Sequence, residues 1–437
     1  MIRRLVSILL MLCVLMLCGC DMRTVDQMYS PPERSADHDS LQTVINDAMV
    51  GMAYSAPTAG ENQQIVQMAD LDGDGNAEYL LYAKGGADRP LHIFVFTQKN
   101  HQYAHWDTIS LPGISFDKVE YAQIDGKPGL EIAVGTQVSD RLSRSLCVYT
   151  FAKGEAEQLI TTDYLNFLTV DLNTNILSEL FVLRNGPTEN DRGIVELFGV
   201  SGGVVERSVE LGMSEPAANL KRILVGQLAG KKPAVFVASA VDEDTLITDV
   251  YTVVNSTFTN VSLSNESGTS VKTMRNYFVY ADDIDSDGIT ELPTLVPTKS
   301  LDMAWHRPGS DLIGWYAMTA SGEKVMKMYT YHNFIGGWYL RFDNATAENI
   351  SVVDLGNVCD FYIWDDEAAV KLFTVASFTG QSREEQSVSN GYFPLHKNES
   401  SVYAVKLDDA AQAYQFDREA VLRSFYLIHE HWKTGET

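Results

Sequence analysis

Asp70-Leu-Asp72-Gly-Asp74-Gly-Asn76-Ala-Glu78 and Asp283-Ile-Asp285-Ser-Asp287-Gly-Ile289-Thr-Glu291 are one nine-residue pattern written twice. Acids at the first, third and fifth positions alternate along the chain, so their oxygens meet at one point only if the backbone curls tightly around it. Gly75 and Gly288 stand where such a curl needs a left-handed residue. Carboxylates this close repel strongly in a partly desolvated loop, on the scale of roughly 332/(εr) kcal/mol, and a hard divalent cation removes that repulsion. The spacing predicts a calcium loop. It is not an EF-hand, which needs a bidentate Glu at the twelfth position and helices on both sides. Here β-type runs flank each loop, Ile65 to Met68 and Tyr79 to Ala83 around the first and Tyr277 to Tyr280 and Leu292 to Val296 around the second. Each loop is therefore expected to join two strands of a hairpin.

Used as a ruler, the pattern exposes three eroded copies. Gln123-Ile-Asp125-Gly-Lys127-Pro-Gly-Leu-Glu131 keeps the central and closing acids, and Lys127 could neutralise them. Asp171-Leu-Asn173-Thr-Asn175-Ile-Leu-Ser-Glu179 keeps oxygens with fewer charges, which makes it a weaker cation candidate. Gln227-Leu-Ala-Gly-Lys-Lys-Pro-Ala-Val235 has lost its ligands. Copies starting at 70, 123, 171, 227 and 283 recur about every 50 residues, a length that suits a four-stranded blade. Four strand-like runs fit each unit, for example Asn166 to Val170, Glu179 to Leu183, Ile194 to Val200 and Val204 to Leu211. The expected fold is mainly β, a β-propeller of about five four-stranded blades, possibly more, over residues 60–332.

On these residues the chain resembles the FG-GAP/VCBS family of β-propeller repeats, also seen in integrin α-subunit heads. The resemblance implies calcium at the hairpin joining the first two strands of a blade. It makes Asp70, Asp72, Asp74 and Glu78 side-chain ligands, with the Asn76 carbonyl. Asp283, Asp285, Asp287 and Glu291 follow, with the Ile289 carbonyl, and Asp171, Asn173, Asn175 and Glu179 form the weaker third site. Clear Phe-Gly and Gly-Ala-Pro signatures are missing.

The ends carry different information. Arg3 and Arg4, the mostly apolar run Leu5 to Leu17, and Leu17-Cys-Gly-Cys20 resemble a bacterial lipoprotein signal peptide, 1–19, cut before a lipidated Cys20. Residues 20–37 read as a polar tether, and 38–59 as a short helix, with apolar Leu41, Ile45 and Met49 at helical spacing, and a linker. After residue 332 the ruler finds nothing. Runs such as Cys359 to Trp364 and Ser401 to Leu407, then a helix over Arg418 to Trp432, suggest a small α+β domain over 333–437.

A net charge of −25 argues against nucleic acid and anionic lipid surfaces as partners. Cys147 and Cys359 sit in apolar runs and read as buried small hydrophobes. The sequence contains no Gly-x-Ser-x-Gly, phosphate-binding glycine loop, Cys-x-x-Cys or His-Glu-x-x-His. His429-Glu-His431 diverges on a helix, and Trp305, Trp315 and Trp338 fit strand cores. The expectation is a non-catalytic, calcium-stabilised binding or scaffold lipoprotein on the extracytoplasmic face of a bacterial membrane. Its partner would be a cell-envelope protein or glycan, with the membrane engaged only through the lipid. The alternative is an extracytoplasmic enzyme acting on polysaccharide through paired carboxylates on the propeller axis.

Overall fold

A computed structural model describes residues 36–428 apart from 87, 100–101, 140–143, 278, 300, 302–310 and 367. The expected signal peptide, Cys20, most of the tether, Trp305 and the His429-Glu-His431 pair lie outside the described residues. Helix α1 (Ala36–Ala48) realises the apolar spacing of Leu41 and Ile45. Six antiparallel sheets follow among the described residues. The first holds β1 (Ala53–Tyr54), β2 (Val66–Ala69), β3 (Glu78–Lys84), β4 (Leu91–Lys99) and β5 (Gln102–Leu111). The second holds β6 (Ser115–Ala122), β7 (Glu131–Gln137), β8 (Arg144–Thr150) and β9 (Glu157–Tyr164). The third holds β10 (Asn166–Val170), β11 (Glu179–Arg184), β12 (Ile194–Ser201) and β13 (Val204–Gly212). The fourth holds β14 (Leu220–Leu228), β15 (Lys232–Ala240), β16 (Leu246–Val254) and β17 (Thr257–Asn260). The fifth begins with β18 (Glu291–Val296), β19 (Leu312–Met318), β20 (Lys324–Asn333) and β21 (Trp338–Phe342).

The second strand of each sheet is apolar on both sides, and the packing explains why. In β11, Leu180 and Val182 join the core shared with the second sheet. Phe181 and Leu183, pointing the other way, join the core shared with the fourth. In β15, Val235 and Val237 face the third sheet while Ala234 and Phe236 face the fifth. A strand buried on both faces loses the polar alternation of a half-exposed one. Such sheets, each sandwiched between its sequence neighbours, are consistent with a β-propeller.

Two expectations fail locally. In the run Tyr277 to Tyr280, the described residues Tyr277, Val279 and Tyr280 belong to no strand. The Val279 N–H donates to the Tyr277 carbonyl at 2.9 Å, and the Val279 carbonyl accepts Arg275 Nε at 2.6 Å, so neither is left for a ladder. Only an isolated bridge, Asp282 to Glu291, precedes β18.

The C-terminal segment, expected as an α+β unit, is mostly strand, with short helices at Asn344–Ala347, Arg383–Gln386 and Arg418–Ser424. It forms a sixth antiparallel sheet of β22 (Ile350–Asp354), β23 (Val358–Asp365), β24 (Ala368–Thr379), β25 (Phe393–Lys397) and β26 (Ser401–Leu407). Trp338, Leu340, Phe361, Phe373 and Val405 share one core, so apolar packing runs unbroken from the fifth sheet into the sixth. The expected long helix is only Arg418–Ser424, and β27 (Phe425–Leu427) returns to pair with β21. Phe425 stacks on Trp338 and Tyr426 on Tyr339, and these ring contacts favour extended backbone over another helical turn.

The two ends of the series are finished differently. Leu41, Val44, Ile45 and Ala48 of α1 cover Leu81, Ala83, Phe94 and Phe96 of the first sheet. The outward face of the sixth sheet carries Asp360, Tyr362, Lys371 and Thr374. Among the described residues no apolar cluster joins the sixth sheet to the first. Trp315, Trp338, Cys147 and Cys359 are all buried, as their runs predict. No helix of the described residues is long and apolar enough to cross a membrane.

Candidate metal centre

Both intact loops bring three carboxylates together. Oxygens of Asp70, Asp72 and Glu78 lie within 4.8 Å of one another, as do those of Asp283, Asp285 and Glu291. The first acid organises each curl by accepting backbone amides on both oxygens. Asp70 takes Gly73 at 2.7 Å and Gly75 at 3.0 Å, and Asp283 takes Asp287 at 3.0 Å and Gly288 at 2.9 Å. Gly75 and Gly288 have φ of 88° and 84°, the left-handed backbone the pattern predicts. Asp74 and Asp287 stand apart from the three-carboxylate clusters. Asp74 accepts Asn76 N–H at 2.7 Å, and Asp287 accepts Ile289 N–H at 2.8 Å and pairs with Lys327 Nζ at 2.6 Å.

The closing Glu has a second role that the ligand pattern conceals. Its Oε2 accepts the N–H of the loop's second residue, Leu71 at 2.9 Å, Ile124 at 2.6 Å, Leu172 at 2.8 Å and Ile284 at 3.2 Å. Those second residues are themselves buried apolar plugs, at most 2% exposed. Position two is apolar in all five copies, a signal in the sequence that is independent of the ligand pattern. Neighbouring loops are also tied together. The eighth residue of one donates its N–H to the first carbonyl of the loop before it: Leu130 to Asp70 at 2.9 Å, Ser178 to Gln123 at 2.7 Å, Thr290 to Gln227 at 2.8 Å. The approach is so close that a Cβ on Gly129 would lie 2.1 Å from the Leu71 carbonyl oxygen.

The eroded copies replace the cation with something of their own. In the second, Lys127 Nζ sits 3.0 Å from Asp125. Burial works against ionising Asp125, but hydrogen bonds from the Lys127 amide and ammonium prevail and hold its carboxyl below the usual range. In the third, the Asn173 side-chain amide donates to Glu179, putting an N–H where a cation would sit. Its sixth position is Ile176 at φ 78°, a strained choice for a β-branched residue. The fourth has shrunk to a three-residue turn between Leu228 and Lys232.

Burial raises all four closing glutamates, Glu78, Glu131, Glu179 and Glu291, and what sets the fifth loop apart is an unpartnered oxygen. Burial, then the nearby Asp285, pushes the Glu291 carboxyl up to about 8, and its Oε1 is buried with no hydrogen-bond partner. Burial likewise raises Glu78, with Asp72, Asp74 and Asp70 adding to it. An orphaned, buried carboxylate oxygen facing two more carboxylates fits a hard divalent cation, which would supply the missing charge and ligand field. Asp70, Asp72 and Glu78 would hold one such ion, and Asp283, Asp285 and Glu291 another.

Fold and site together define a mainly-β protein of stacked antiparallel sheets with two acidic clusters able to hold metal. No protein-family profile and no curated sequence matches the chain. Solved structures of similar arrangement include the exotype rhamnogalacturonan lyase YesX, with 13% identity, a TM-score of 0.31, and coverage of 74% of this chain and 65% of that one. The rhamnogalacturonan lyase PL11 of Bacillus licheniformis has 10% identity, a TM-score of 0.30, and coverage of 67% of each chain. A protein from Lactobacillus plantarum has 11% identity, a TM-score of 0.28, and coverage of 72% and 85%. The chain thus spans about two thirds of the length of the two lyases. Likeness at this level assigns no activity to the chain. The expectation of a non-catalytic scaffold and of no enzyme is not kept, since three of the solved structures found are rhamnogalacturonan lyases.

Proposed function

We propose that this chain is a calcium-stabilised β-propeller of the FG-GAP/VCBS kind, held by a lipid on Cys20 at the extracytoplasmic face of a membrane, and that it acts on polysaccharide. The observation that carries the sugar assignment is a groove of about 690 Å³ formed by the third loop and by the third and fourth sheets. Asn173, Asn175, Ser201, Asn255 and Ser256 line it, with Arg207 and Lys232. Amides and hydroxyls that both donate and accept, in an open groove whose apolar wall is Leu177, Leu197, Val200, Val253 and Phe258, match a sugar chain, which presents hydroxyls and apolar ring faces together. Glu179 and Glu206 also line the groove, and cleavage of a glycosidic bond draws on two carboxylates. Burial raises Glu179 above the usual range, and its two oxygens accept from the Leu172 amide and the Asn173 side chain, so the exposed Glu206 is the carboxylate placed to meet substrate. Calcium is supported by the orphaned Glu291 oxygen, and the lipid anchor by the sequence of residues 3–20.

The test is incubation of the calcium-loaded protein with a panel of neutral and acidic polysaccharides, scoring reducing ends for hydrolysis and unsaturated ends for elimination. Product formation is expected from at least one glycan, and Glu206→Gln should abolish it while leaving the melting temperature unchanged. No product from any glycan, or equal product from Glu206→Gln, would overturn the proposal for this groove.

A further inference from the structure

Between the fourth and fifth sheets lies a run of cations with no carboxylate in ion-pair contact among the described residues. Arg222 on β14 is 7% exposed, its Cζ lies 5.7 Å from the centre of the Tyr280 ring, and its Nε and Nη1 are buried without a hydrogen-bond partner. Arg275 is 4% exposed. It donates to the Val279 carbonyl at 2.6 Å, to Thr248 Oγ1 at 3.1 Å and to the Thr273 carbonyl at 3.0 Å, and its Nη2 has no partner. The Tyr316 hydroxyl, fully buried, is also unpartnered. Lys324 Nζ lies 4.2 Å from the centre of the Tyr316 ring and donates to the Lys272 carbonyl at 2.7 Å. Lys272 in turn lines an open cavity of about 430 Å³ with Asn260 and Ser321.

Among the described residues, none of Arg222, Lys272, Arg275 and Lys324 has an acidic side chain in ion-pair contact. In a chain with 58 acids against 33 lysines and arginines, that isolation is the opposite of what composition favours. A buried guanidinium without a counter-charge is costly, and proteins seldom keep one unless something anionic completes it. Asp282 influences Arg222 through space without a hydrogen bond between them, and Arg275 and Arg222 both act on the Tyr280 hydroxyl. The vacant donors differ in kind: forked guanidinium N–H groups and one phenolic O–H. That set matches a planar oxyanion, which accepts two parallel N–H bonds and one more.

We propose that this seam, built on Arg222, Arg275 and Tyr316, is a binding site for a carboxylate anion. The assignment does not depend on polysaccharide being the substrate, since a free carboxylate and the carboxylate of a uronate sugar present the same chemistry. The two sources are separated by the probes. Calcium-saturated protein is melted with acetate, with free glucuronate, and with a short polyuronate, each against chloride at matched ionic strength. A saturable rise in melting temperature with acetate and glucuronate is expected. A response only to the polyuronate would still place a carboxylate here, as part of a sugar chain, provided Arg222→Gln removes it. Arg222→Gln should raise the half-saturating concentration about ten- to a hundredfold, the loss expected for charge-assisted hydrogen bonds. Tyr316→Phe, which removes one unpartnered hydroxyl and keeps the packing, should raise it several-fold. Chloride matching every carboxylate would overturn the proposal. So would unchanged responses in both variants, or an Arg222→Gln protein that is simply more stable while the parent ignores anions, which would mean that water fills the seam.

Discussion

Calcium entering the fifth loop should expel a proton from Glu291. With its carboxyl at about 8, Glu291 is about nine-tenths protonated at pH 7 and about one-tenth at pH 9. Coordination requires the carboxylate, so loading at pH 7 should release about 0.9 proton from this residue and at pH 9 about 0.1. The same proton weakens apparent binding at pH 7 by about tenfold, or about 1.4 kcal/mol. Without calcium the sign is fixed too. The native state holds a proton that the unfolded chain sheds above its ordinary value of 4.5, so this group's contribution to stability falls as pH rises from about 4.5 to 8. The assay is calorimetric calcium titration of chelated protein at both pH values, in two buffers of different ionisation enthalpy. Glu78 is raised as well, so the difference between parent and Glu291→Gln isolates the fifth loop. A proton release that does not change between pH 7 and 9, or that survives in Glu291→Gln, would refute the assignment of Glu291 as a buried ligand.

Three further outcomes follow from the same geometry. Asp72→Ala and Asp285→Ala should each remove most of one loop's calcium-dependent stabilisation, about 2.7 kcal/mol at a hundredfold excess over Kd, whereas Asp125→Ala should change the calcium response little because Lys127 already pairs there; melts with and without chelator distinguish them. Lys327→Met should tighten calcium binding at the fifth loop about three- to tenfold at low salt, since Lys327 holds Asp287 at 2.6 Å and competes with the ion for the same charge; unchanged affinity would mean that Asp287 takes no part. His332, buried among Trp315, Phe334 and Tyr339, is pushed down to about 3 by burial. The unfolded chain takes up that proton near pH 6.5, so stability should fall by about 2 kcal/mol between pH 7 and 5 through this residue alone, a slope that urea unfolding of His332→Leu should lack.

The sequence disclosed the carboxylate loops and the sheets attached to them because both rest on local rules. The strands over 166–212 sit within a residue or two of where alternation and turn chemistry put them. The strand runs of the sixth sheet were legible, but its place in the series was not, because its first hairpin turns tightly through Leu355, Gly356 and Asn357, with Asp354 Oδ1 accepting the Gly356 N–H at 2.7 Å. A carboxylate that ties one turn needs no nine-residue pattern. The helix over Arg418–Ser424 stops early because Trp338 and Tyr339, about 80 residues upstream, claim Phe425 and Tyr426. Contacts at that separation leave no mark on local periodicity. Arg222, in a strand, and Arg275, outside one, were equally silent, since an arginine reads as exposed until its surroundings are known.

The persistence of the eroded loops has a physical explanation in the bonds between them. Asp70 gathers the first loop through its side chain, while its own carbonyl accepts the N–H of Leu130 in the second. Gln123 does the same for Ser178, and Gln227 for Thr290. A loop that dropped its turn would therefore leave its neighbour's buried amide unpaired, at a cost of about 1–3 kcal/mol. Losing only the acids at positions one, three and five removes the cation and leaves that bond intact. Selection for the fold thus preserves the apolar second position, retains the closing Glu in four of the five copies, and keeps the backbone approach at Gly129, while leaving the charge free to drift. The two loops that kept all their acids are then the two able to hold a cation, and an ion at Asp70 would steady not one hairpin but the contact between the first sheet and the second.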